Sequence, residues 1–268
     1  MSENISLADV GSRVRFVLVS TSHPGNIGAA ARAIRTMGFS RLALVAPQRF
    51  PHADAIALAS GANAVLENAV VSANLADAIA ECQLVIGATA RRRGVALPEL
   101  GPREAAASLV AAAQEGAEVA VLFGNERSGL DNNELARCHA ALTIPSDPAF
   151  ASLNLAQAVQ VVAYELRLAQ HNLSIAPKRH RTDAPASSAQ MEGFFGHLAD
   201  LLDDIDFHKG RSPRTIMWRL RRLFLRAQPD QRELRILRGI FSDAQRSVRL
   251  ARSADDEQGA SDERLGSL

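Results

Sequence analysis

The sequence predicts an α/β fold with a mostly parallel sheet, followed by a small helical extension. Short apolar runs without alternation recur over the first 144 residues, which is typical of strands covered on both faces. Helical stretches separate these runs, and such alternation of strands and helices favours a parallel sheet. After residue 190, apolar residues recur instead at three- and four-residue steps, which indicates amphipathic helices.

The α/β region can be followed element by element. Its first predicted strand, VRFVLVS at 14–20, leads into a loop with Pro24-Gly25-Asn26 and then into an alanine-rich helix that stops at Met37-Gly38. Further strands are predicted at 42–46, 84–88, 119–123 and 141–144. Helices are predicted near 74–81, 103–114, 131–138 and 153–170. We therefore expect one α/β domain over residues 1–171.

The carboxyl-terminal third predicts a linker, three helices and a tail. Residues 172–189 are rich in Pro, Ser and charge and have no apolar periodicity, so we expect a linker. Three amphipathic helices follow within 190–252, and Pro213 and Pro229 lie near the starts of the second and third, where a missing N–H costs little. The acidic stretch 253–268 is predicted to be disordered.

Composition excludes several protein classes. Of the 268 residues 47% are apolar and 22% charged, which is ordinary for a globular protein. No apolar run approaches the roughly 18 to 20 residues that cross a bilayer, and the amino terminus has no basic region before an apolar stretch. Cys82 and Cys138 form no disulfide framework and have no metal-ligand spacing. We expect a cytoplasmic protein with neither a membrane segment nor a metal ion.

The net charge of +1 conceals an uneven distribution. Residues 1–177 carry 13 basic and 15 acidic groups, and residues 253–268 carry 1 and 5. Residues 178–252 carry 16 basic and 9 acidic groups, a net charge of +7. The basic excess is therefore confined to the predicted helical extension, which favours an anionic partner for that region.

The first loop excludes two common nucleotide-binding loops. A turn between a strand and a helix is a frequent site for phosphate groups. This loop reads HPGNIGAAAR and contains neither G-x-G-x-x-G nor G-x-x-x-x-G-K-[ST]. His23 beside Pro24 has no G-x-S-x-G partner motif, so a serine hydrolase is also disfavoured.

Three segments together carry a family resemblance. They are PGNIGAAAR at 24–32, VLFGNERSGL at 121–130, and Ile144-Pro145 followed by SLNLAQA at 152–158. In this order and at these separations they resemble the SpoU-type (TrmH-like) branch of the SPOUT RNA methyltransferases, over residues 14–170. The segments Ile205-Asp206-Phe207, LRRLF at 220–224 and ILRGI at 236–240 resemble the extension of one group in that family, the tRNA 2′-O-methyltransferases that modify cytidine or uridine 32.

The resemblance implies a deep trefoil knot at the carboxyl side of the sheet, a rare exception to the rule that chains do not thread loops. It also implies that S-adenosylmethionine binds to three loops of the knot. These loops correspond to Thr89, Ala90 and Arg91, to Gly124 and Asn125, and to Ile144, Ser152, Leu153 and Asn154. Each loop begins where a predicted strand ends, which is where α/β proteins bind ligands.

The resemblance further implies a homodimer with the acceptor site between subunits and Arg32 as the catalytic arginine. Methyl transfer to a ribose 2′-hydroxyl requires alignment of the oxygen and removal of its proton. Because a guanidinium group is a poor base, we expect Arg32 to hold the adjacent phosphate and hydroxyl, with that phosphate or a water accepting the proton. Asn26 is expected to fix the loop or contact the nucleotide. Glu126, Ser152 and Asn154 are expected to order the pocket and hold the substrate.

Simpler roles remain open for several of these residues. Asn26 and Gly28 are also typical turn residues, and Arg32 is compatible with a solvated helix position. Glu126 and Asn154 are both suited to capping the helices that follow them. The triplet Arg91-Arg92-Arg93 fits either a solvated loop or a contact with RNA phosphate.

The second helix of the extension is the clearest candidate for RNA binding. Seven basic residues and no acidic one lie between Lys209 and Arg226, whereas a solvated face normally mixes signs. Phosphate contacts from such a face supply salt-dependent affinity for nucleic acid. The residues expected to contact RNA are Arg32, Arg91, Arg214, Arg219, Arg221 and Arg222.

The expected function is S-adenosylmethionine-dependent methylation of the 2′-hydroxyl of cytidine or uridine 32 in tRNA. One alternative is an enzyme of the same fold that acts on ribosomal RNA or on another tRNA position. A second is a non-catalytic RNA-binding protein that kept the fold. The carboxyl-terminal helices favour tRNA over ribosomal RNA, and the presence of Arg32, Gly124, Glu126 and Asn154 disfavours the non-catalytic alternative.

Overall fold

The structure is a computed structural model that describes residues 7–90, 96–150, 152–172 and 184–265. The chain forms two compact units, Met1–Ala189 and Gln190–Leu268. In the described part, no helix combines the length and apolar character needed to cross a membrane.

The first unit contains a seven-stranded sheet in which every strand pair is parallel. Its strands are β1 (Val14–Val19), β2 (Arg41–Val45), β3 (Val70–Ser72), β4 (Leu84–Ala88), β5 (Glu99–Leu100), β6 (Val119–Phe123) and β7 (Ala140–Leu142). They lie in the order β3-β2-β1-β6-β4-β7-β5. The predicted fold class is confirmed, together with all five predicted strands. The two that the sequence missed, β3 and β5, are the short edge strands.

Eight helices are described in the first unit. They are α1 (Leu7–Ser12), α2 (Pro24–Thr36), α3 (Ala53–Ala59), α4 (Asn63–Glu67), α5 (Leu75–Ile79), α6 (Pro102–Gln114), α7 (Asn132–Leu135) and α8 (Leu155–Asn172). Helices α2, α5, α6, α7 and α8 lie where the sequence predicts them. Helices α1, α3 and α4 were not predicted, because five to seven residues show little helical period, whereas the equally short α5 and α7 lie within longer predicted stretches.

The core lies on both faces of the sheet. Along β1, Phe16 and Leu18 pack into one apolar cluster, which also contains side chains of α2, α6 and α8. Val17 and Val19 point to the opposite face and pack with residues of α5 and α7. Alternate residues therefore enter two separate cores, which explains why the strands have no polar alternation in the sequence.

Strand order brings the family-like segments together. Phe123 at the end of β6 is in register with Leu18 of β1 on one side and with Ala88 of β4 on the other. Ala88 in turn is in register with Leu142 of β7. The loops that follow β1, β6, β4 and β7 consequently leave the same edge of the sheet side by side, although they are far apart in sequence.

The second unit contains three helices, α9 (Ser188–Asp204), α10 (Pro213–Ala227) and α11 (Gln231–Leu265). Phe194 of α9 packs against Phe224 of α10 at 4.7 Å and Phe241 of α11 at 5.4 Å between ring centroids. The apolar stripes of this region are therefore helix-packing surfaces, as the sequence favours.

Helix α11 continues through residues for which the sequence predicts a disordered tail. No proline interrupts residues 231–265, and most of the polar residues there are tolerated in a helix. The finding differs from the expected disorder from residue 253 onward, because low apolar content by itself does not prevent a helix from continuing.

Candidate active site

A cavity of about 560 Å³ opens at the carboxyl edge of β4, β6 and β7. Its described wall is formed by the residues that follow these strands and by the loop before α8. They are Ala88–Ala90, Phe123–Gly129, Leu142, Ile144, Pro148–Phe150, Ser152, Leu153, Leu155 and Ala158. The volume falls within the range of about 300–1,000 Å³ that is usual for small-molecule sites.

The loop after β6 begins at a position that admits only glycine. A Cβ atom on Gly124 would overlap the backbone of Gly129 and Leu130. The Asn125 carbonyl accepts from the Gly129 N–H at 2.7 Å in a tight hairpin, and the Asn125 amide donates to the Ser20 carbonyl at 2.6 Å. The Asn125 side-chain oxygen also accepts from the Arg127 N–H at 3.0 Å. Gly124 and Asn125 thus shape the wall of the cavity through backbone packing.

Glu126 is held by four hydrogen bonds at the start of α2. Its carboxylate accepts from the Ser22 N–H at 2.9 Å, the Ser22 hydroxyl at 2.8 Å and the His23 N–H at 3.1 Å. The Asn26 amide donates the fourth bond, at 2.9 Å. Burial on its own would raise the pKa of Glu126, but the bonds from Ser22 and Asn26 outweigh it and lower the pKa to about 2. The carboxylate therefore stays ionised near neutral pH, and its low pKa makes it a weak proton acceptor there.

Asn26 and Asn154 extend this network across all three family-like segments. The Asn154 amide donates to the Asn26 side-chain oxygen at 3.0 Å. The Asn154 oxygen also accepts from the Ala156 N–H at 2.9 Å, which caps the start of α8. The simpler capping role of Asn154 is thus present together with its place in the site. Glu126 instead bonds to Ser22 and His23, which lead into α2, and to the Asn26 side chain in its first turn, whereas the helix that follows Glu126 is capped by Asp131.

Arg32 and Gly28 lie further along α2. Arg32 is exposed and is not among the described residues that line the cavity. Gly28 is inside the helix and not in a turn, and a Cβ there would overlap the Ala55 carbonyl of α3. The structure therefore places the predicted catalytic arginine on the helix whose first turn is clamped by Glu126, but outside the cavity wall of its own chain.

The predicted cofactor residues are brought together where they are described. Thr89, Ala90, Ile144, Ser152 and Leu153 all line the cavity. Thr89 is fixed by a hydrogen bond from its N–H to the Leu142 carbonyl at 2.9 Å. Asn154 is not among the described lining residues, but it lies between Leu153 and Leu155, which are, and its amide bonds to Asn26. The predicted cofactor and RNA contact Arg91 lies outside the described residues, as do Arg92 and Arg93.

Sequence reasoning missed several residues of the site. Ser22 was not predicted to take part, although it donates two of the four bonds to Glu126. Phe150, Arg127 and Ser128 line the cavity and were not predicted to do so. For Phe150, the signal in the sequence was an aromatic residue in the otherwise polar segment SDPAF, directly after Ile144-Pro145.

The four arginines predicted to bind RNA on α10 fall into two groups. Arg214, Arg219 and Arg222 are exposed, and the Arg214 guanidinium lies 4.7 Å from the centroid of the Trp218 ring. Arg221 instead forms an ion pair with Glu192 and lies 4.3 Å from the centroid of the Phe195 ring. Its side chain is only 16% exposed. This corrects its expected position on the exposed face, because Arg221 packs α10 against α9.

Cys82 and Cys138 are buried and His139 is half-buried, and none of the three is among the described residues that line the cavity. Burial raises the pKa of Cys82 to about 11 and raises the pKa of Cys138 further. Burial lowers the pKa of His139 to about 4, while its Nδ1 accepts a bond from the Val85 N–H at 3.1 Å. The described residues contain no cluster of three metal-binding side chains.

The cavity fits S-adenosylmethionine in its chemistry. Leu142, Ile144 and Leu155 give an apolar interior for a purine ring. The Gly124 backbone lies close to Gly129 and Leu130, so main-chain groups are present at the wall. Such a combination of apolar lining with a few polar groups is typical of cofactor sites.

Two family models match the chain. Residues 13–164 match the SpoU rRNA methylase family, and residues 189–254 match the carboxyl-terminal domain of the tRNA methyltransferase TrmJ.

Characterised relatives align with most of the chain. The tRNA (cytidine/uridine/adenosine-2′-O-)-methyltransferase TrmJ of Pseudomonas aeruginosa is 44% identical over 245 residues, which are 88% of this chain and 95% of the relative. The tRNA (cytidine/uridine-2′-O-)-methyltransferase TrmJ of Photorhabdus laumondii is 46% identical over 235 residues, 87% of this chain and 97% of the relative.

A solved structure shares the fold. TrmJ from Z. mobilis ZM4 is 36% identical with a TM-score of 0.73, and the match covers 85% of this chain and 97% of the other.

Proposed function

The chain belongs to the SpoU rRNA methylase family, and from this we propose that it is an S-adenosylmethionine-dependent tRNA 2′-O-methyltransferase. The observation that carries the proposal is the hydrogen-bonded network Glu126–Asn26–Asn154, which joins three distant segments beside the cavity. The likeness of both units to TrmJ proteins named as tRNA 2′-O-methyltransferases supports tRNA as the substrate.

S-adenosylmethionine, when bound, supplies a methyl group on a positively charged sulfur. Thr89, Ala90, Gly124, Ile144 and Leu153 are the residues that would hold it, since they line the cavity at the carboxyl edge of the sheet. Asn125 and Glu126 keep the surrounding loops in place through bonds to Ser20, Ser22 and Asn26. The cofactor would therefore bind to a wall that is ordered before it arrives.

Arg32 acts on the acceptor side of the reaction. For methylation the 2′-hydroxyl would have to be aligned and to lose its proton, which the adjacent phosphate or a water would accept. A guanidinium group does not take this proton, but it can hold phosphate and hydroxyl in one geometry through paired hydrogen bonds. Glu126 and Asn26 act as positioning residues because they fix the first turn of the helix that carries Arg32.

Arg32→Lys tests the paired hydrogen bonds. A lysine retains the charge but not the planar fork, so we expect turnover to fall at least about tenfold while S-adenosylmethionine affinity is retained. Methylation of tRNA by the two proteins at saturating cofactor measures the difference. Near-normal turnover of the lysine variant would refute the role given to the fork.

We expect a homodimer in which Arg32 of one protomer completes the cavity of its partner. The exposed position of Arg32 outside its own cavity wall supports this arrangement. A symmetric dimer supplies two equivalent acceptor sites of this kind. We also expect the enzyme to act in the cytoplasm, where tRNA and S-adenosylmethionine are present.

The acceptor is proposed to be the nucleotide at position 32 of the anticodon loop, with cytidine and uridine as the bases. The resemblance of the carboxyl-terminal segments to enzymes with this specificity supports the position, and the names of the relatives support the bases.

Parallel methylation assays test the substrate. Purified tRNA and ribosomal RNA from a strain without the protein are incubated with the enzyme and radiolabelled S-adenosylmethionine. We expect incorporation into tRNA alone, and incorporation into ribosomal RNA alone would reject the proposal.

A tRNA transcript with 2′-deoxycytidine at position 32 tests the acceptor position. This transcript lacks only the acceptor oxygen, so we expect it to bind but not to be methylated. A transcript with 2′-deoxycytidine elsewhere in the loop is the matched control and should be methylated normally. Equal incorporation into the two transcripts would refute position 32.

A further inference from the structure

Phe150 is an exposed aromatic ring at the edge of the cavity. Its side chain is 82% exposed, whereas Phe16, Phe39 and Phe123 of the same unit are almost completely buried. Phe150 nevertheless lines the cavity, beside Leu153, which is itself 39% exposed. An apolar rim of this kind, on a concave site, marks a surface that a ligand covers.

A short turn presents the ring to solvent. The Asp147 carboxylate accepts from the Ala149 N–H at 2.8 Å, and the Asp147 carbonyl accepts from the Phe150 N–H at 2.9 Å. Pro148 between them restricts the backbone further. The position of Phe150 is therefore fixed locally and does not depend on burial of its side chain.

Under the proposed function, the base of the acceptor nucleotide is a group to which no residue has yet been assigned. Sequence-specific recognition of RNA loops commonly uses bases that are splayed out of the stack, and the loss of stacking with their neighbours opposes this step. Proteins that bind unstacked bases commonly offset the loss with an aromatic side chain, because every base has a flat face.

We propose that Phe150 stacks on the base of the acceptor nucleotide and thereby holds it out of the RNA loop. The inference rests on the proposed function and assigns a substrate-binding residue to it. The interior of the cavity offers Leu142, Ile144 and Leu155 to the purine of the cofactor, and all three lie deeper than Phe150. The exposed ring is left for the second substrate.

Variants at position 150 test the stacking. We expect Phe150→Ala to raise KM for an unmodified tRNA transcript about tenfold, within the range measured for base–aromatic stacking. Phe150→Tyr and Phe150→Trp should retain KM within about twofold, while Phe150→Leu should behave like alanine because it is apolar but has no flat face. The affinity for S-adenosylmethionine, measured by calorimetry, and the melting temperature should stay unchanged in all four.

A fluorescent base provides a second readout. Pyrrolocytidine at position 32 of the transcript should stay quenched on binding to the wild-type enzyme, because stacking on the Phe150 ring replaces stacking in the loop. We expect Phe150→Ala to bind the transcript at saturating concentration with less quenching.

Four results would overturn the proposal. Two of them are an unchanged KM for tRNA in Phe150→Ala and equal quenching by this variant and the wild type. The third is weakened S-adenosylmethionine binding by Phe150→Ala, which would assign the ring to the cofactor. The fourth is a halved mass of Phe150→Ala in light scattering, which would assign the ring to a subunit interface. If the wild-type enzyme methylates no tRNA, the proposed function fails and this inference falls with it.

Discussion

Gly124 has no room for a side chain, because the backbone of Gly129 and Leu130 occupies the place of its Cβ atom. The Gly124→Ala substitution should therefore displace the hairpin at the cavity wall. We expect the affinity for S-adenosylmethionine to fall at least about tenfold, since displaced wall atoms no longer fit the ligand. Calorimetry measures the change.

Gly101→Ala is the matched control for this substitution. Gly101 precedes α6 with a negative φ of −72°, and a methyl group there would have a carboxylate oxygen at 3.7 Å as its nearest neighbour. We expect its cofactor affinity to equal that of the wild type. Equal affinities in all three proteins would show that the Gly124 backbone does not shape the site.

The charged Glu126 carboxylate should contribute to the free energy of unfolding in a pH-dependent way. Glu126→Gln removes the charge and turns one acceptor into a donor that faces N–H groups, which should lower the free energy of unfolding by about 1–3 kcal/mol at pH 7. The folded pKa of about 2 lies below the ordinary value of 4.5. The stabilisation is therefore complete above about pH 4.5 and is lost as the pH falls toward 2.

Urea denaturation at pH 7 and pH 3 measures this effect. The difference between wild type and Glu126→Gln should shrink at the lower pH. Glu104→Gln at the exposed start of α6 serves as the control and should change stability by less than about 1 kcal/mol at either pH. A difference for Glu126→Gln that is constant across pH would contradict the role of the charged carboxylate.

Individual side-chain roles were only partly predictable from the sequence. The expected cofactor loops were assigned from the family resemblance, and their position after the ends of apolar strands agreed with it. The clamp on Glu126 could not, since its donors Ser22 and His23 lie more than 100 residues away and only strand order brings them close. Arg221 and Glu192 lie 29 residues apart on different helices, and the sequence offered no sign that those helices bring them together.

At the scale of elements, helix α10 combines a packing face and a basic face. Arg219 and Arg222 are exposed, while Arg221 pairs with Glu192. If the exposed pair contacts two phosphates, Arg219→Gln with Arg222→Gln should reduce the slope of log affinity against log salt by roughly 1.4 to 1.8. Filter binding of tRNA between low and moderate salt measures the slope.

Arg221→Gln is the contrasting variant. It should lower the melting temperature, because it removes the ion pair between Arg221 and the partly buried Glu192, yet keep the salt slope of the wild type. An unchanged slope in the double variant, or an equally reduced slope in Arg221→Gln, would refute the division of α10 into these two faces.

The predicted elements were those with strong apolar signals. Strands of five or six residues in the centre of the sheet, and the helices α2, α6 and α8, were all located from their patterns. Edge strands β3 and β5 were missed because they are short and not fully buried, whereas all three residues of the equally short β7 are buried. The extent of α11 was missed because its polar end has no apolar periodicity to count.

At the scale of the whole molecule, a homodimer with shared sites predicts complementation between inactive chains. Arg32→Ala retains the cavity and Gly124→Ala retains the arginine. If Arg32 acts in the partner's site, random mixing should restore about a quarter of wild-type activity, since half of the dimers are mixed and each has one complete site. Tritium incorporation after mixing under mild denaturation measures the recovery.

Absence of any recovery would place Arg32 in the site of its own chain. Light scattering of the wild type provides the control, and we expect twice the chain mass of 28.7 kDa.

The trefoil knot stays a prediction from the family resemblance. The spacing of apolar residues could not predict it, because threading of the chain leaves no trace in that spacing.

The central claim is that tRNA is the methyl acceptor, and mass spectrometry of digested tRNA tests it most directly. Cells with and without the protein are compared for 2′-O-methylated nucleotides, with ribosomal RNA digested in parallel. We predict the loss of 2′-O-methylcytidine or 2′-O-methyluridine from position 32 of tRNA. An unchanged tRNA profile, or a loss from ribosomal RNA alone, would contradict the account.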